Sequence, residues 1–555
     1  MSHTAHLRLS LLASASLALC LFQSYAHAAT PNVDAGSLLK QNEQQLKATK
    51  PYKKLRPKKQ KPMVKASPEE VAVLVRQIKF SGNTLLSNEV LNEAVSAFVD
   101  RSLTVAQLKE VTDVVMNTYR EAGWTVRAYL PQQEIASGVV TIQVVEAVFG
   151  GASLSGKEPE RMNAAVLIDM AEASLGKGTH LHAAQLDRTL LLLDDLPGVN
   201  VAGNLVQGQN DGEINLDIAA MDDALVTGNA SVDNQGSRAT GTDRLSVNLN
   251  VNSPARVGDA LAINALKTQG TEYQRLSYSI PVGYDGWRAG VHASHLNYQV
   301  ITPEFASLNP FGTATTRGLD MSYPLVRSQL QNVNFAMSYD DKNFDNSSNG
   351  ALTSYGIKVF NASVNASVVD NWEGGGATNA SVGLTAGDKN TDSRYTKVNL
   401  SLSRLQTLNE TLSFYVAASA QTTNVNLDSS EKMYLGGATG VRAYPASEAG
   451  GSAGNTLTLE LRQRLDNNLT LTGFYDYGRV KVNRDNSIAS PANPNDYNLQ
   501  GYGVTVAWQA TQAMDFKATV AQRMGSNPAA NTTTGMDADG TKKITRIWLS
   551  TSLAF

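Results

Sequence analysis

Residues 73–223 of this chain predict two small α+β modules, and residues 224–555 predict an all-β transmembrane barrel of about sixteen antiparallel strands. Three observations carry that expectation. The second half alternates apolar and polar residues with a period of two, and no helical periodicity interrupts it. Its polar faces are Asn, Ser and Thr with occasional charge, which suits a water-filled lumen better than a dry core. The chain also closes on an alternating strand, "ITRIWLSTSLAF", that ends in the aromatic Phe555. No later segment approaches the about 18 consecutive apolar residues of a helical span, and in lipid only helices and closed barrels satisfy their own backbone.

Taken in order, residues 1–28 combine a weakly basic start, the apolar run "LSLLASASLALCLF" and a small-x-small site at Ala26-His27-Ala28. That is the pattern of a secretory leader cleaved after Ala28. The only cysteine, Cys20, lies inside the run, so the mature chain is expected to hold no disulfide and no thiolate chemistry. A formal charge of −3 gives no reason to expect a nucleic acid partner. Residues 29–72 hold the polar piece "SLLKQNEQQLK", either helical or disordered, and then the basic tether "KPYKKLRPKKQKP".

From Val75 the pattern becomes domain-like. "VRQIKFSGN" reads as strand and turn, and "SNEVLNEAVSAFV" as a helix. "TVAQLKEVTDVVMNTYREAG" reads as a second helix, opened by a capping box from Thr104 to Gln107 and stopped at Gly123. Leu108, Val111, Val115 and Tyr119 share one of its faces. "VRAYLPQQ" and "GVVTIQVVEA" then form a strand pair around Ser137-Gly138. The same order recurs over about 152–222: "ASLSG" as a strand, helices at 159–176 and in "HAAQLDRTLLLLDDLPG", and a second strand pair. Two β-α-α-β-β units therefore stand in tandem, repeated by architecture rather than by residue identity.

Beyond about 225 the strands alternate cleanly. "RLSVNLNVN" sets Leu245, Val247, Leu249 and Val251 against Ser246, Asn248 and Asn250, and "TLTLELRQRL" sets Leu457, Leu459 and Leu461 against Thr458, Glu460 and Arg462. One stretch interrupts them, "GGATGVRAYPASEAGG" at 436–451, where Arg442 stands in a run of Gly, Ala and Ser. Taken alone, it reads as a solvated loop arginine.

Several motifs together resemble one family. Tyr119, Gly123-Trp124, Leu130-Pro131-x-Gln133, Gly138 and Glu146 are similar to the first POTRA domain of two-partner secretion transporters. "LDRTLLLLDDLPGV", with Leu196, Pro197 and Gly198, resembles their second. "VDNQGSRATG", "NSPARVGDAL" and "YPLVRSQLQNV" resemble parts of their barrel. The resemblance implies a leader (1–28), a helix or linker that plugs the pore (29–72), POTRA domains at 73–149 and 150–223, and an outer-membrane barrel at 224–555. It implies a large secreted β-helical exoprotein as partner, docked through its N-terminal secretion domain on periplasmic POTRA modules, around Leu130, Pro131 and Gln133 in the first. It further implies outer-membrane lipid around the barrel, and barrel assembly machinery that reads the strand ending at Phe555.

In that family a Val-Arg-Gly-Tyr loop folds into the lumen and its arginine meets the aspartate of a Phe-x-Asp-x-Gly wall motif. This chain has Gly440-Val441-Arg442-Ala443-Tyr444 and Phe474-Tyr475-Asp476-Tyr477-Gly478. Ala443 stands where glycine is commoner, and a positive φ there would strain it. Holding a Gly-rich loop in one place costs entropy. An Arg–carboxylate pair offsets it bidentately, with about 4 kcal/mol of Coulomb energy at an effective dielectric near 20, before desolvation.

Other chemistry is poorly supported. "GASLSGKE" (151–158) is close to a phosphate-binding loop, but Glu158 replaces the needed Ser/Thr. His180 and His182, and the "HASH" pair His292 and His295, have no third ligand nearby in the sequence, so no metal, cofactor or catalytic residue is expected. The function expected is an ATP-independent protein-translocating pore. An insertase that assembles other barrels, a passive porin and a barrel hydrolase are the alternatives.

Overall fold

The computed structural model describes residues 33–48 and 73–555, apart from Glu134, Ala136, Asp392 and Ser490. The leader and the basic tether lie outside the described residues. The polar piece is a helix, α1 (Ala35–Ala48).

The first module places β1 (Val73–Val75), β2 (Gln77–Ser81), α2 (Asn88–Ala94), β3 (Arg101–Leu103), α3 (Val105–Glu121), β4 (Val126–Tyr129) and β5 (Val139–Glu146) in order. β5 is the centre of a three-stranded sheet, parallel to β2 and antiparallel to β4, while β1 and β3 form a separate ribbon. The capping box at α3 forms as expected: the Thr104 hydroxyl accepts from the Gln107 N–H, and the Gln107 side chain accepts from the Thr104 N–H. Leu108, Val111, Val115 and Tyr119 are buried against Ile78, Val140, Ile142 and Val144. The strand expected over "VRAYLPQQ" is shorter than the sequence suggests. Pro131 has no N–H to give a ladder, and beyond it the Gln133 side chain takes over, donating to the Thr141 carbonyl and accepting from the Thr141 N–H, both at 2.7 Å.

The second module repeats the order with β6 (Val148–Ser155), α4 (Ala164–Leu175), α5 (Ala183–Asp194), β7 (Val199–Gln207) and β8 (Glu213–Asp222). Its first helix begins five residues later than expected, at the Asn163 cap, whose side chain accepts from the Ala165 N–H. The "GASLSG" run begins in strand β6, so its backbone is committed to the β8 ladder instead of cradling an anion. A single residue, Ala147, joins the modules, with its N–H on the Thr125 carbonyl and its carbonyl accepting from Leu181. The His182 ring stands edge-on to Trp124 at 4.8 Å beside that joint.

The barrel strands before the Gly-rich connection are β9 (Val226–Asp233), β10 (Arg244–Asn252), β11 (Ala260–Lys267), β12 (Thr271–Val282), β13 (Trp287–Gln299), β14 (Phe311–Arg327), β15 (Gln331–Ser348), β16 (Ala351–Asp370), β17 (Gly376–Lys389), β18 (Ser393–Thr407) and β19 (Leu412–Thr423). The connection carries a small ribbon, β20 (Met433–Tyr434) with β21 (Gly450–Gly451). β22 (Ala453–Arg464), β23 (Leu469–Lys481), β24 (Asp496–Gln509), β25 (Met514–Arg523) and β26 (Thr545–Ala554) complete the wall. Leaving out the ribbon, sixteen strands close into one barrel, with β9 paired antiparallel to both β10 and β26. No edge is left to hydrogen-bond in lipid. Val291, Leu319, Leu384, Leu402 and Ile547 are exposed on the outer wall. Among the described residues, no helix is long and apolar enough to cross a membrane.

The second module is latched to the barrel rim. Arg327 makes a two-pronged pair with Asp195, at 2.7 and 2.8 Å, and Arg188 donates to the Pro324 and Asp285 carbonyls. The Leu196-Pro197-Gly198 elbow meets the turn between β10 and β11. Gly198 has φ of +93°, and a Cβ there would stand 2.9 Å from that of Ser253.

Candidate functional site

The connection from β19 to β22 turns back into the lumen instead of extending outward. Tight backbone crossings require its glycines: a Cβ at Gly440 would lie 2.0 Å from the Leu435 carbonyl oxygen. The fold brings Arg442 to Asp476 on β23. Nε donates to Oδ2 at 2.8 Å, Nη2 to Oδ1 at 2.7 Å, and the Arg442 backbone N–H to Oδ2 at 3.1 Å. The guanidinium also lies 3.5 Å from the centre of the Phe474 ring. Both charged side chains are buried, Asp476 to 1% exposure. The wall-motif glycine, Gly478, clears space for the loop, since a Cβ there would stand 3.0 Å from Leu435 and from Val441. Val441, Ala443 and Tyr444 are buried in one cluster with Leu435, Phe474, Val480 and Leu499.

Five participants escaped the sequence reading. Glu460 on β22 accepts from Arg442 Nη1 at 2.8 Å and also binds Arg462. Two guanidinium groups thus face two carboxylates. Trp548 on β26 donates its indole N–H to the Arg442 carbonyl at 2.8 Å. Arg523 lies over the Tyr444 ring at 4.6 Å. Gly501 leaves room for Ala443, whose Cβ would sit 2.5 Å from a Cβ at 501. The strain expected at Ala443 falls elsewhere: positive φ occurs at Ser447 (70°) and Ala449 (56°), while Ala443 is not among the positive-φ residues.

The second occupant of the lumen is α1. Leu38 and Leu39 are buried with Tyr273, Leu296, Tyr298, Phe344 and Ile357 on the inner wall. Asn346 Oδ1 accepts from the Ala35 N–H at 2.9 Å. Gly36 permits close approach to the 429–431 segment, because a Cβ there would lie 2.6 Å from the Ser429 hydroxyl. Glu431 of that segment is gripped by Lys342 and Lys397. Ser447 donates to the Gln41 side chain at 3.0 Å and so links helix and clasped loop directly.

The remaining sequence candidates separate from this centre. Gln133 is engaged within its own module, and Leu196-Pro197-Gly198 sits at the rim joint. Glu146 caps the turn before α2. Burial pushes its carboxyl up, but hydrogen bonds from the Thr84 hydroxyl, the Leu85 and Thr84 N–H groups and the Tyr119 hydroxyl outweigh this and hold it below the usual range. Both His292 ring nitrogens meet carboxylates, Asp320 at 2.6 Å and Asp340 at 2.9 Å. His182 accepts from the Ala184 N–H as the cap of α5. Phe555 exchanges backbone hydrogen bonds with Gly228 at the barrel seam.

A closed barrel with POTRA-type modules on its rim and a clasped loop in its lumen defines an outer-membrane transporter with periplasmic domains. Known proteins agree. The family model described as haemolysin secretion/activation protein ShlB/FhaC/HecB matches residues 212–506, more than half of the chain, and a ShlB-type POTRA domain matches 73–147. The chain belongs to that family, the two-partner secretion transporters of the bacterial outer membrane. It is 25% identical over 473 residues to the heme/hemopexin transporter protein HuxB of Haemophilus influenzae, covering 81% of this chain and 83% of that one. The solved structure of CdiB from Escherichia coli superposes with a TM-score of 0.72 at 19% identity, covering 96% of this chain and all of that one. BamA from Haemophilus ducreyi, lacking POTRA domains 1–3, shares the fold at a TM-score of 0.53 and 13% identity, covering 87% of this chain and 100% of that one.

Proposed function

We propose that this transporter binds one unfolded exoprotein in the periplasm through its POTRA modules and threads it through the barrel to the cell surface without ATP. The observation that carries the reading is a lumen filled by two removable elements. α1 and the Arg442 loop are held by side-chain contacts and not by the wall ladder, so both can leave without opening the barrel. In the resting state α1 plugs the pore, and the guanidinium clasp fixes the loop beside it. The open strand edges of the two modules take the exoprotein's N-terminal secretion domain as an added strand. Leu130 and Pro131 flank one such edge. Folding of the exoprotein outside, as a β-helix, supplies direction. The strand ending at Phe555 is the signal that the barrel assembly machinery reads.

Deleting the gene tests this reading against an insertase. Loss of one exported protein from the surface, with other barrels at normal levels, is the expected result. General loss of outer-membrane barrels would replace the reading with the insertase, and no change in either would favour a passive porin.

A further inference from the structure

One stretch of the lumen wall lies away from the seat of α1 and meets the clasp only at its edge, where the Thr458 hydroxyl donates to Asp476. Below the loop tip, towards the periplasmic end, lies a cavity of about 430 Å³ lined by Asn334, Asn365, Ser381, Ser401, Ala417 and Thr456, with Thr439 of the loop at its edge. These residues come from β15, β16, β17, β18, β19 and β22, one from each. Among the described residues lining it there is no charged side chain. Among the described residues the side chains of Asn334, Ser367, Ser401 and Ser403, all lining the cavity, make no hydrogen bond, although their backbones are paired in the wall. The wall around β12–β15 is different. It carries Arg275, His292, Asp320, Asp340 and Lys342, together with the apolar seat of α1.

We infer that this uncharged wall is the track along which the exported chain slides, and that its ligand is an extended polypeptide backbone. The inference rests on the pore reading above and names the path within it. An extended chain presents an N–H or C=O group about every 3.3 Å per residue, and a passage without water partners would leave them unsatisfied at several kcal/mol each. Small hydroxyls and amides can meet those groups in any register, because each both donates and accepts. A fixed charge would hold oppositely charged stretches of cargo and repel like ones, and a large apolar surface would hold apolar stretches. The track has neither. It also lies on the side of the lumen that seated α1 leaves free, so the first segment of cargo enters beside the helix and under the loop.

Thiol crosslinking tests this in the full-length protein. The only native cysteine is Cys20, so a Cys20→Ala background permits one introduced thiol per variant. The probe is the exoprotein lost in the deletion strain, truncated, given one cysteine and fused to a tightly folded domain that stalls it in transit. Ser401→Cys and Ala417→Cys should form disulfides with the stalled chain, whereas Ser277→Cys, on β12 opposite His292, should not. Equal crosslinking at Ser277→Cys overturns the track and leaves the pore intact. Crosslinking at no position, with the exoprotein still reaching the surface, overturns the pore itself. As a second measurement, Ala417→Arg should slow export while the barrel still assembles and migrates as folded in detergent gels; unchanged export by that variant also overturns the track.

Discussion

Neutralising Asp476 is the sharpest test of the clasp. Asp476→Asn keeps the shape of the side chain and removes the charge that receives two guanidinium N–H groups and one backbone N–H. Removing one partner of a buried ion pair costs about 3–5 kcal/mol. Glu460 still holds Nη1, so roughly half of that, about 2 kcal/mol, should be lost from the clasped state. At about 1.4 kcal/mol per factor of ten, the released population rises about 30-fold. The readout is labelling of the thiol introduced by Val441→Cys with a membrane-impermeant maleimide, since Val441 is 1% exposed and reacts only when the loop comes away. Arg442→Ala should raise the rate as much, and the double variant little further. Unchanged labelling, or a coupling energy below about 0.5 kcal/mol in the cycle, would refute the clasp.

Three further outcomes are expected. Arg442→Ala should abolish export while heat-modifiable barrel persists, and Arg442→Lys should restore only part of it because an ammonium cannot grip bidentately; normal export by Arg442→Ala would remove the anchoring role. Leu39→Asp places a carboxylate in the apolar seat of α1, so resting conductance in planar bilayers should rise; wild-type conductance would mean the helix does not plug the pore. The Glu146 carboxyl is depressed in the folded module, so its stabilisation is complete above the unfolded value of about 4.3 and is lost as pH falls through the lower folded value. Hydrogen exchange at α3 and β5 should therefore accelerate in that acid window for the native protein and much less for Glu146→Gln.

How much of this was legible follows from what periodicity can encode. The Arg442–Asp476 pair was legible because two motifs resembled the loop and wall of one family. Glu460 was already visible on the polar face of "TLTLELRQRL", but period two gives a residue's face and not its height. Whether Glu460 or Thr458 meets the guanidinium depends on how far the loop descends. Trp548 lies 106 residues from Arg442 and reads only as part of a terminal aromatic strand, because closure of β26 onto β9 creates that contact. α1 was ambiguous for a physical reason: its apolar stripe is little more than Ala35, Leu38 and Leu39, enough for a seat in a tyrosine-lined wall but hidden in a polar composition. The β4 strand was overextended because a side-chain amide can imitate a ladder partner that a proline forbids.

The rim latch and the one-residue joint at Ala147 have a mechanical consequence. With a single residue between the modules, a load applied to the outer module passes to the inner one without a slack linker to absorb it. The inner module stands on Asp285, Pro324 and Arg327, at the turns that link β12 to β13 and β14 to β15, and on the β10–β11 turn at Ser253. Those strands include the ones whose upper halves cradle α1. A pull on the outer module is thus delivered first to the staves behind the helix.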